Sequence, residues 1–113
     1  MRIFLRTLLN RLRFVVLESA DGRDAMEQLA ANGPFDLAVI DWNIPIMTGF
    51  ELVVLLRADR RFDRMPILMV TTEGSPVERA RALSAGVNEY LVKPITENEL
   101  IEKVRTLCGA AAT

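Results

Sequence analysis

The amino-acid sequence predicts an α/β fold in which a parallel sheet is covered by helices on both faces. Four short apolar runs occupy residues 14–17, 37–40, 67–70 and 90–92. None of these runs shows the alternation of polar and apolar residues typical of a strand with one face in water, so each strand is expected to be buried on both faces. Helical patterns stand between the runs, and this alternation favours parallel strands joined by helical crossovers.

The composition is that of one globular domain, which we place at residues 1–113. Fifteen acidic against fourteen basic residues leave no positive surplus for nucleic acid. No apolar run is long enough to cross a membrane, so no membrane partner is expected. The absence of histidine excludes Ser-His, Cys-His and His-ligated metal chemistry. A single cysteine forms no internal disulfide, which favours a reducing, cytoplasmic location.

The first segment is predicted to be a core helix. The first 17 residues carry four arginines and no acid, so a transit peptide or a membrane-surface helix is the alternative. Apolar side chains recur at helical spacing, as a helix packed on a core requires. These side chains are Met1, Phe4, Leu5, Leu8, Leu9 and Leu12.

The other helices begin at recognisable caps. Asp21 and Gly22 open a helix that continues to about Asn32, and Gly33-Pro34 ends it. Three further starts have the capping-box spacing, in which a hydroxyl accepts from an early N–H group while a glutamate reaches back. The pairs are Thr48 with Glu51, Ser75 with Glu78, and Thr96 with Glu99. Five helices and four strands are therefore expected, in strict alternation.

Three polar residues follow successive predicted strands. Asp41 ends the second strand, Thr71 ends the third, and Lys93 ends the fourth. Ligands gather beyond the carboxyl ends of parallel strands, so the three side chains can form a phosphoryl site. Asp41 would be the nucleophile, and Thr71 and Lys93 would bind the transferred oxygens. Taken singly, Asp41 is more typical of a loop cap, Thr71 of a turn residue and Lys93 of a solvated lysine.

Together these residues resemble a known family. The segment 41–49, Thr71 and the Lys93-Pro94 pair are similar to the receiver domains of two-component response regulators. The resemblance covers residues 1–107. Two features, the Trp42-Asn43 pair and the sequence at 71–73, are similar to those of single-domain, chemotaxis-type receivers. It implies a flavodoxin-like three-layer sandwich, with a parallel sheet flanked by five helices, and a signalling protein rather than an enzyme.

The resemblance implies a role for each site residue. Asp41 corresponds to the phosphoacceptor for phosphoryl transfer from a histidine kinase or a phosphotransfer protein. Thr71 corresponds to the switch hydroxyl, Lys93 to the lysine that pairs with the phosphoryl group, and Tyr90 to a switch aromatic on the face that binds a downstream target protein. Without the motif, Tyr90 would be interpreted as a strand-edge tyrosine whose ring buries apolar area while its hydroxyl lies in water.

The resemblance also implies a metal and an unusual peptide bond. Asp41 and the backbone carbonyl of Asn43 correspond to ligands of Mg²⁺, and the Lys93–Pro94 bond corresponds to one that is cis in the family.

One part of the family pattern is missing. Receivers open with a central strand that ends in an acidic pair, and neither is present, so we expect an N-terminally truncated domain over residues 1–113. Mg²⁺ prefers about six oxygen ligands, so its binding and the labelling of Asp41 are expected to be weak. Glu18 or Asp21 could approach the site, although solvated loop acids are the simpler interpretation.

The missing strand also affects assembly. It would lie between residues 14–17 and 37–40, and its loss separates their strands by roughly 9.6 Å. The sheet could close up, or a second copy could complete it in a homodimer. Alternatively, Met1 could be an internal methionine mistaken for the start, with the strand and its acids encoded just upstream.

Two other functions would use parts of the same pattern. A pseudo-receiver would present the same face as a protein–protein interaction module without phosphorylation. A small aspartate-nucleophile phosphatase of the haloacid-dehalogenase kind fits poorly, because it needs a second acid where this chain has Asn43.

Overall fold

The computed structural model describes residues 2–72 and 74–108. Eight helices and strands follow one another in this part of the chain: α1 Arg2–Arg11, α2 Gly22–Asn32, β1 Ala38–Asp41, α3 Gly49–Arg57, β2 Ile67–Thr71, α4 Pro76–Ala85, β3 Glu89–Val92 and α5 Glu97–Cys108. A 3-10 turn, Arg60–Phe62, lies between α3 and β2. No helix in these two ranges has the length and apolar character needed to span a bilayer.

The three strands form one parallel sheet in the order β1-β2-β3. β2 is the middle strand, and all five of its residues are buried. In the register, Asp41 lies beside Val70, and Thr71 lies beside Val92. Because the strands are parallel and aligned, their carboxyl ends lie at one edge of the sheet.

Helices cover both faces of the sheet, which explains the continuous apolar runs. On one face, Ile67 and Met69 of β2 pack in a cluster with side chains of α2, α3 and α4. On the other face, Leu68 and Val70 pack with side chains of α1 and α5. The expected three-layer sandwich with a parallel sheet and five helices is confirmed.

The predicted helix starts are also confirmed. The Asp21 carboxylate accepts from the Asp24 N–H at the start of α2, and Thr48 forms a complete capping box with Glu51. At α5, the Thr96 N–H and hydroxyl donate to Glu99, and these bonds hold the pKa of that carboxyl below its usual value.

The prediction of a strand at residues 14–17 was wrong. These residues belong to no helix or strand, and Phe14 and Val16 pack on the α1–α5 side of the sheet while Val15 is 93% exposed. A strand requires a hydrogen-bonded neighbour, and among the described residues β1 pairs with β2 alone. The sheet has therefore not closed up between residues 14–17 and β1.

The C-terminus of α1 has an unfavourable residue in a favourable motif. The Phe14 N–H donates to the Leu9 carbonyl and the Arg13 N–H donates to the Asn10 carbonyl, both at 3.0 Å, which is the Schellman arrangement. This arrangement places Arg13 in the left-handed region, at φ 71°. A residue with a Cβ is strained there, whereas glycine is not.

We therefore predict that Arg13→Gly stabilises the protein. The free energy of unfolding should rise by about 0.5 to 1 kcal/mol, because glycine has no Cβ to clash with the backbone in the left-handed conformation. Urea unfolding followed by circular dichroism measures the change. Arg11→Gly, inside the last turn of the same helix, is the control and should lower stability. An unfolding free energy reduced equally by both substitutions would contradict the assignment of strain to Arg13.

Candidate functional site

The carboxyl edge of the sheet brings three polar residues of the predicted site to neighbouring strand ends. Asp41 is the last residue of β1, Thr71 is the last residue of β2, and Lys93 follows β3 directly. The backbone pairing continues past the strands, since the Trp42 N–H donates to Val70 at 2.8 Å and the Lys93 N–H donates to Thr71 at 2.7 Å. The positions of all three residues are thus set by the ladder itself.

Asp41 and Lys93 form an ion pair across this edge. The Lys93 Nζ donates to the Asp41 Oδ2, and the two side chains are 17% and 29% exposed. The second oxygen of the carboxylate, Oδ1, accepts the Asn43 N–H at 3.0 Å. Both oxygens of Asp41 therefore have a donor. The pair is partly shielded from water, and this shielding strengthens the attraction between the two charges.

A glycine holds the following loop against Asp41. The Gly49 N–H at the start of α3 donates to the Trp42 carbonyl at 2.8 Å. A Cβ on Gly49 would clash with the Asp41 carbonyl oxygen, so only glycine permits this close approach of two backbone segments. The Trp42 ring stacks on Phe50 with centroids 5.7 Å apart, which ties the residue after Asp41 to α3.

Thr71 and Tyr90 meet at a residue of α4. Thr71 is 1% exposed, and its hydroxyl donates to the Glu78 Oε1 at 2.9 Å. Tyr90 of β3 is 8% exposed, and its hydroxyl donates to the same oxygen at 2.9 Å. The two hydroxyls therefore share a carboxylate acceptor, and Thr71 ends the strand that lies between those of Asp41 and Lys93.

The arrangement has the chemistry of an anion-transfer site. A carboxylate in such a place can act as a nucleophile, and a neighbouring ammonium group can stabilise the charge that develops during the reaction. The Lys93–Pro94 peptide bond is cis.

Comparison with known proteins identifies the family. The family model for the response regulator receiver domain matches residues 1–105. The chain belongs to the response regulator receiver family. This receiver is also 46% identical over 110 residues to chemotaxis protein CheY1 of Helicobacter pylori, covering 96% of the chain and 89% of that protein. The match agrees with the chemotaxis-type, single-domain pattern around Asp41.

Solved receivers have the same fold. Chemotaxis protein CheY4 of Vibrio cholerae superposes with a TM-score of 0.86 at 33% identity, over 94% of this receiver and 88% of that chain. The receiver domain of a sensor histidine kinase from Pseudomonas aeruginosa superposes with a TM-score of 0.85 at 28% identity, over 96% and 88% of the two chains. That structure holds a magnesium ion in its active-site cleft.

The described residues of this receiver do not fit a magnesium site of the usual kind. Over residues 2–72 and 74–108, no three His, Cys, Asp or Glu side chains are grouped closely enough to hold a metal ion. Glu18 is paired with Arg6 at 2.8 Å, and Asp21 caps α2. Ligation by Asp41 and the Asn43 carbonyl alone would leave most of the six positions around Mg²⁺ to water.

Glu78 is a residue of this site that the sequence did not predict to be there. Its spacing from Ser75 predicted a capping box, but its carboxylate lies between Thr71 and Tyr90. A strand-to-helix contact of this kind has no local sequence signal. Glu73, which belongs to the motif at 71–73, lies outside the described residues.

Proposed function

We propose that this receiver is a phosphoacceptor whose chemistry takes place at Asp41. The observation that carries the proposal is the Asp41–Lys93 pair at the carboxyl edge, with Thr71 on the strand between them. An Asp41 carboxylate oxygen attacks the phosphorus of a phosphohistidine on a histidine kinase or a phosphotransfer protein. The new P–O bond forms as the P–N bond breaks, and the imidazole leaves with the electron pair of that bond.

Lys93 has a defined part in this proposal. Its ammonium neutralises Asp41 before transfer, and afterwards it can pair with the phosphoryl oxygens without leaving the edge of the sheet. Thr71 supplies one hydroxyl donor from the neighbouring strand, once that hydroxyl turns toward the phosphoryl group. The acyl phosphate is then the signal that a downstream target protein recognises.

Magnesium binding by this receiver is proposed to be weak. When bound, the ion supplies positive charge that offsets the phosphoryl oxygens. Asp41 and the Asn43 carbonyl would hold it, with few other protein oxygens available among the described residues. Labelling of Asp41 is therefore slow and requires a high magnesium concentration.

The face around Tyr90 is proposed as the partner-binding surface. Tyr90 lies on β3 between α4 and α5 in the chain, and its hydroxyl is linked through Glu78 to Thr71. A change at Asp41 can reach this surface through two side chains, Thr71 and Glu78. The small magnesium ligand set is the reason to keep a second candidate, a pseudo-receiver in which this surface binds its partner without phosphorylation.

Intact-mass spectrometry separates the two functions. Incubation with acetyl phosphate should add about 80 Da to a small fraction of the chain, and that fraction should rise with magnesium without reaching a plateau. The adduct should be absent from Asp41→Asn and retained in Asp36→Asn, the matched control in an exposed loop. A mass that never changes at any magnesium concentration would contradict phosphotransfer and support the pseudo-receiver. An adduct that persists in Asp41→Asn would place the chemistry elsewhere.

Self-association through β1 is a further part of the proposal. In the described residues, one edge of β1 has no hydrogen-bonded strand, and open edges are templates for pairing with a second copy. Val15 and Leu17, which precede α2, are 93% and 55% exposed and add apolar surface. A homodimer would cover both features.

Light scattering over a range of protein concentrations measures this association. We expect the average mass to rise with concentration, and Val15→Lys to reduce the rise. Val77→Lys is the control, because Val77 is 72% exposed on α4. A monomer at every concentration would show that the open edge of β1 does not pair.

A further inference from the structure

Three helices of this receiver begin with the same local pattern, but one uses it differently. Glu51, Glu78 and Glu99 are each the third residue of a helix that starts after a serine or threonine. Glu51 accepts the Thr48 N–H at 3.1 Å, and Glu99 accepts the Thr96 N–H at 3.0 Å, as the capping box requires. Glu78 instead bonds to side chains of two strands.

The start of α4 does not depend on the Glu78 side chain. The Ser75 Oγ accepts the backbone N–H of Glu78 at 3.1 Å, and Pro76 occupies the first turn, where its missing N–H costs nothing. The Glu78 carboxylate is therefore free of a capping role. The Glu78 side chain can also be replaced without removing the Ser75 cap.

One oxygen of this carboxylate accepts two hydroxyls. Glu78 Oε1 lies 2.9 Å from the Thr71 Oγ1 and 2.9 Å from the Tyr90 hydroxyl oxygen. Both donors belong to buried residues, and hydrogen bonds to a charged acceptor are stronger than those between neutral groups. The carboxylate thus joins the end of β2 to the middle of β3.

We propose that Glu78 is a positioning residue that restrains the Thr71 hydroxyl and transmits its movement to Tyr90. A threonine hydroxyl has a single hydrogen, so while it donates to Glu78 it does not donate to a phosphoryl group on Asp41. Phosphorylation must therefore break the Thr71–Glu78 bond. The inference rests on the proposed function, because it assigns Glu78 a regulatory role at the Asp41 site.

The link to Tyr90 follows from the shared oxygen. When Thr71 turns toward Asp41, Glu78 Oε1 loses the Thr71 donor, and the carboxylate is held less firmly at the Tyr90 hydroxyl. The position of Tyr90 on the proposed partner face then depends on whether Thr71 is engaged at Asp41. Two hydrogen-bonded arrangements of one side chain make a two-state element of the kind that switches use.

The first arm of the test observes Tyr90 without any phosphodonor. Tyr90 is the one tyrosine in the sequence, so fluorotyrosine labelling gives a single ¹⁹F NMR signal from this site. Glu78→Ala should shift that signal, and Glu78→Gln, which keeps an acceptor oxygen but loses the charge, should shift it less. Glu99→Ala, at the same position of α5, should leave it unchanged. A signal that stays at the wild-type shift in Glu78→Ala would overturn the proposal.

The second arm measures the labelled fraction of Asp41 with acetyl phosphate. Glu78→Ala should raise this fraction roughly three- to tenfold, because it removes the Glu78 carboxylate as a competing acceptor for the Thr71 hydroxyl. In a Thr71→Val background the same substitution should have no effect, since the hydroxyl that it releases is absent. An equal rise in both backgrounds would show that Glu78 does not act through Thr71.

The two arms also separate this inference from the proposed function. If Asp41 is not labelled in any variant, phosphotransfer by this chain fails, and the ¹⁹F signal still decides whether Glu78 positions Tyr90. If labelling occurs but Glu78→Ala changes neither the signal nor the labelled fraction, the proposed function stands and the role of Glu78 is refuted. Circular dichroism of each variant confirms that the fold is retained.

Discussion

The parallel pairing of β2 with strands on both sides is the constraint on which the rest of this receiver depends. All five residues of Ile67–Thr71 are buried, and alternate side chains enter the two clusters that attach the helices to the sheet. The same register that fills these clusters also aligns the strand ends, which brings Asp41, Thr71 and Lys93 to one edge. Packing and chemistry therefore share one cause: a slip of one residue would exchange the two faces of β2 and separate the site residues.

The groups at this edge are held in two hydrogen-bonded units. Lys93 is paired with Asp41, while Thr71 and Tyr90 donate to Glu78. Each buried charge or hydroxyl thus has a partner, as partly buried polar groups require. In the proposed mechanism a phosphoryl group on Asp41 rearranges both units, because it offers Lys93 a new anion and Thr71 a new acceptor. The response follows from competition between acceptors and needs no large movement of the sheet.

Much of this could be predicted from the sequence. The apolar runs, the caps at Asp21, Thr48 and Thr96, and the polar residues that follow the strands are all local patterns. The run at residues 14–17 has the same composition as a strand, but a strand also needs a neighbour, which a local pattern cannot supply. Glu78 shows the converse: its spacing from Ser75 is that of a capping box, and only the tertiary fold places Thr71 and Tyr90 within reach. Sequence patterns predict the elements well, and they fail where the outcome depends on contacts between elements.

The central claim is that Asp41 carries the transferred phosphoryl group, and chemical trapping tests it most directly. Borohydride reduces an aspartyl phosphate to homoserine, and tandem mass spectrometry locates that residue in a tryptic digest. Residues 24–57 form one tryptic peptide that contains Asp24, Asp36 and Asp41, so two aspartates serve as internal controls. We predict homoserine at residue 41 and at neither of the other two positions. Homoserine at residue 24 or 36, or at all three, would contradict the account.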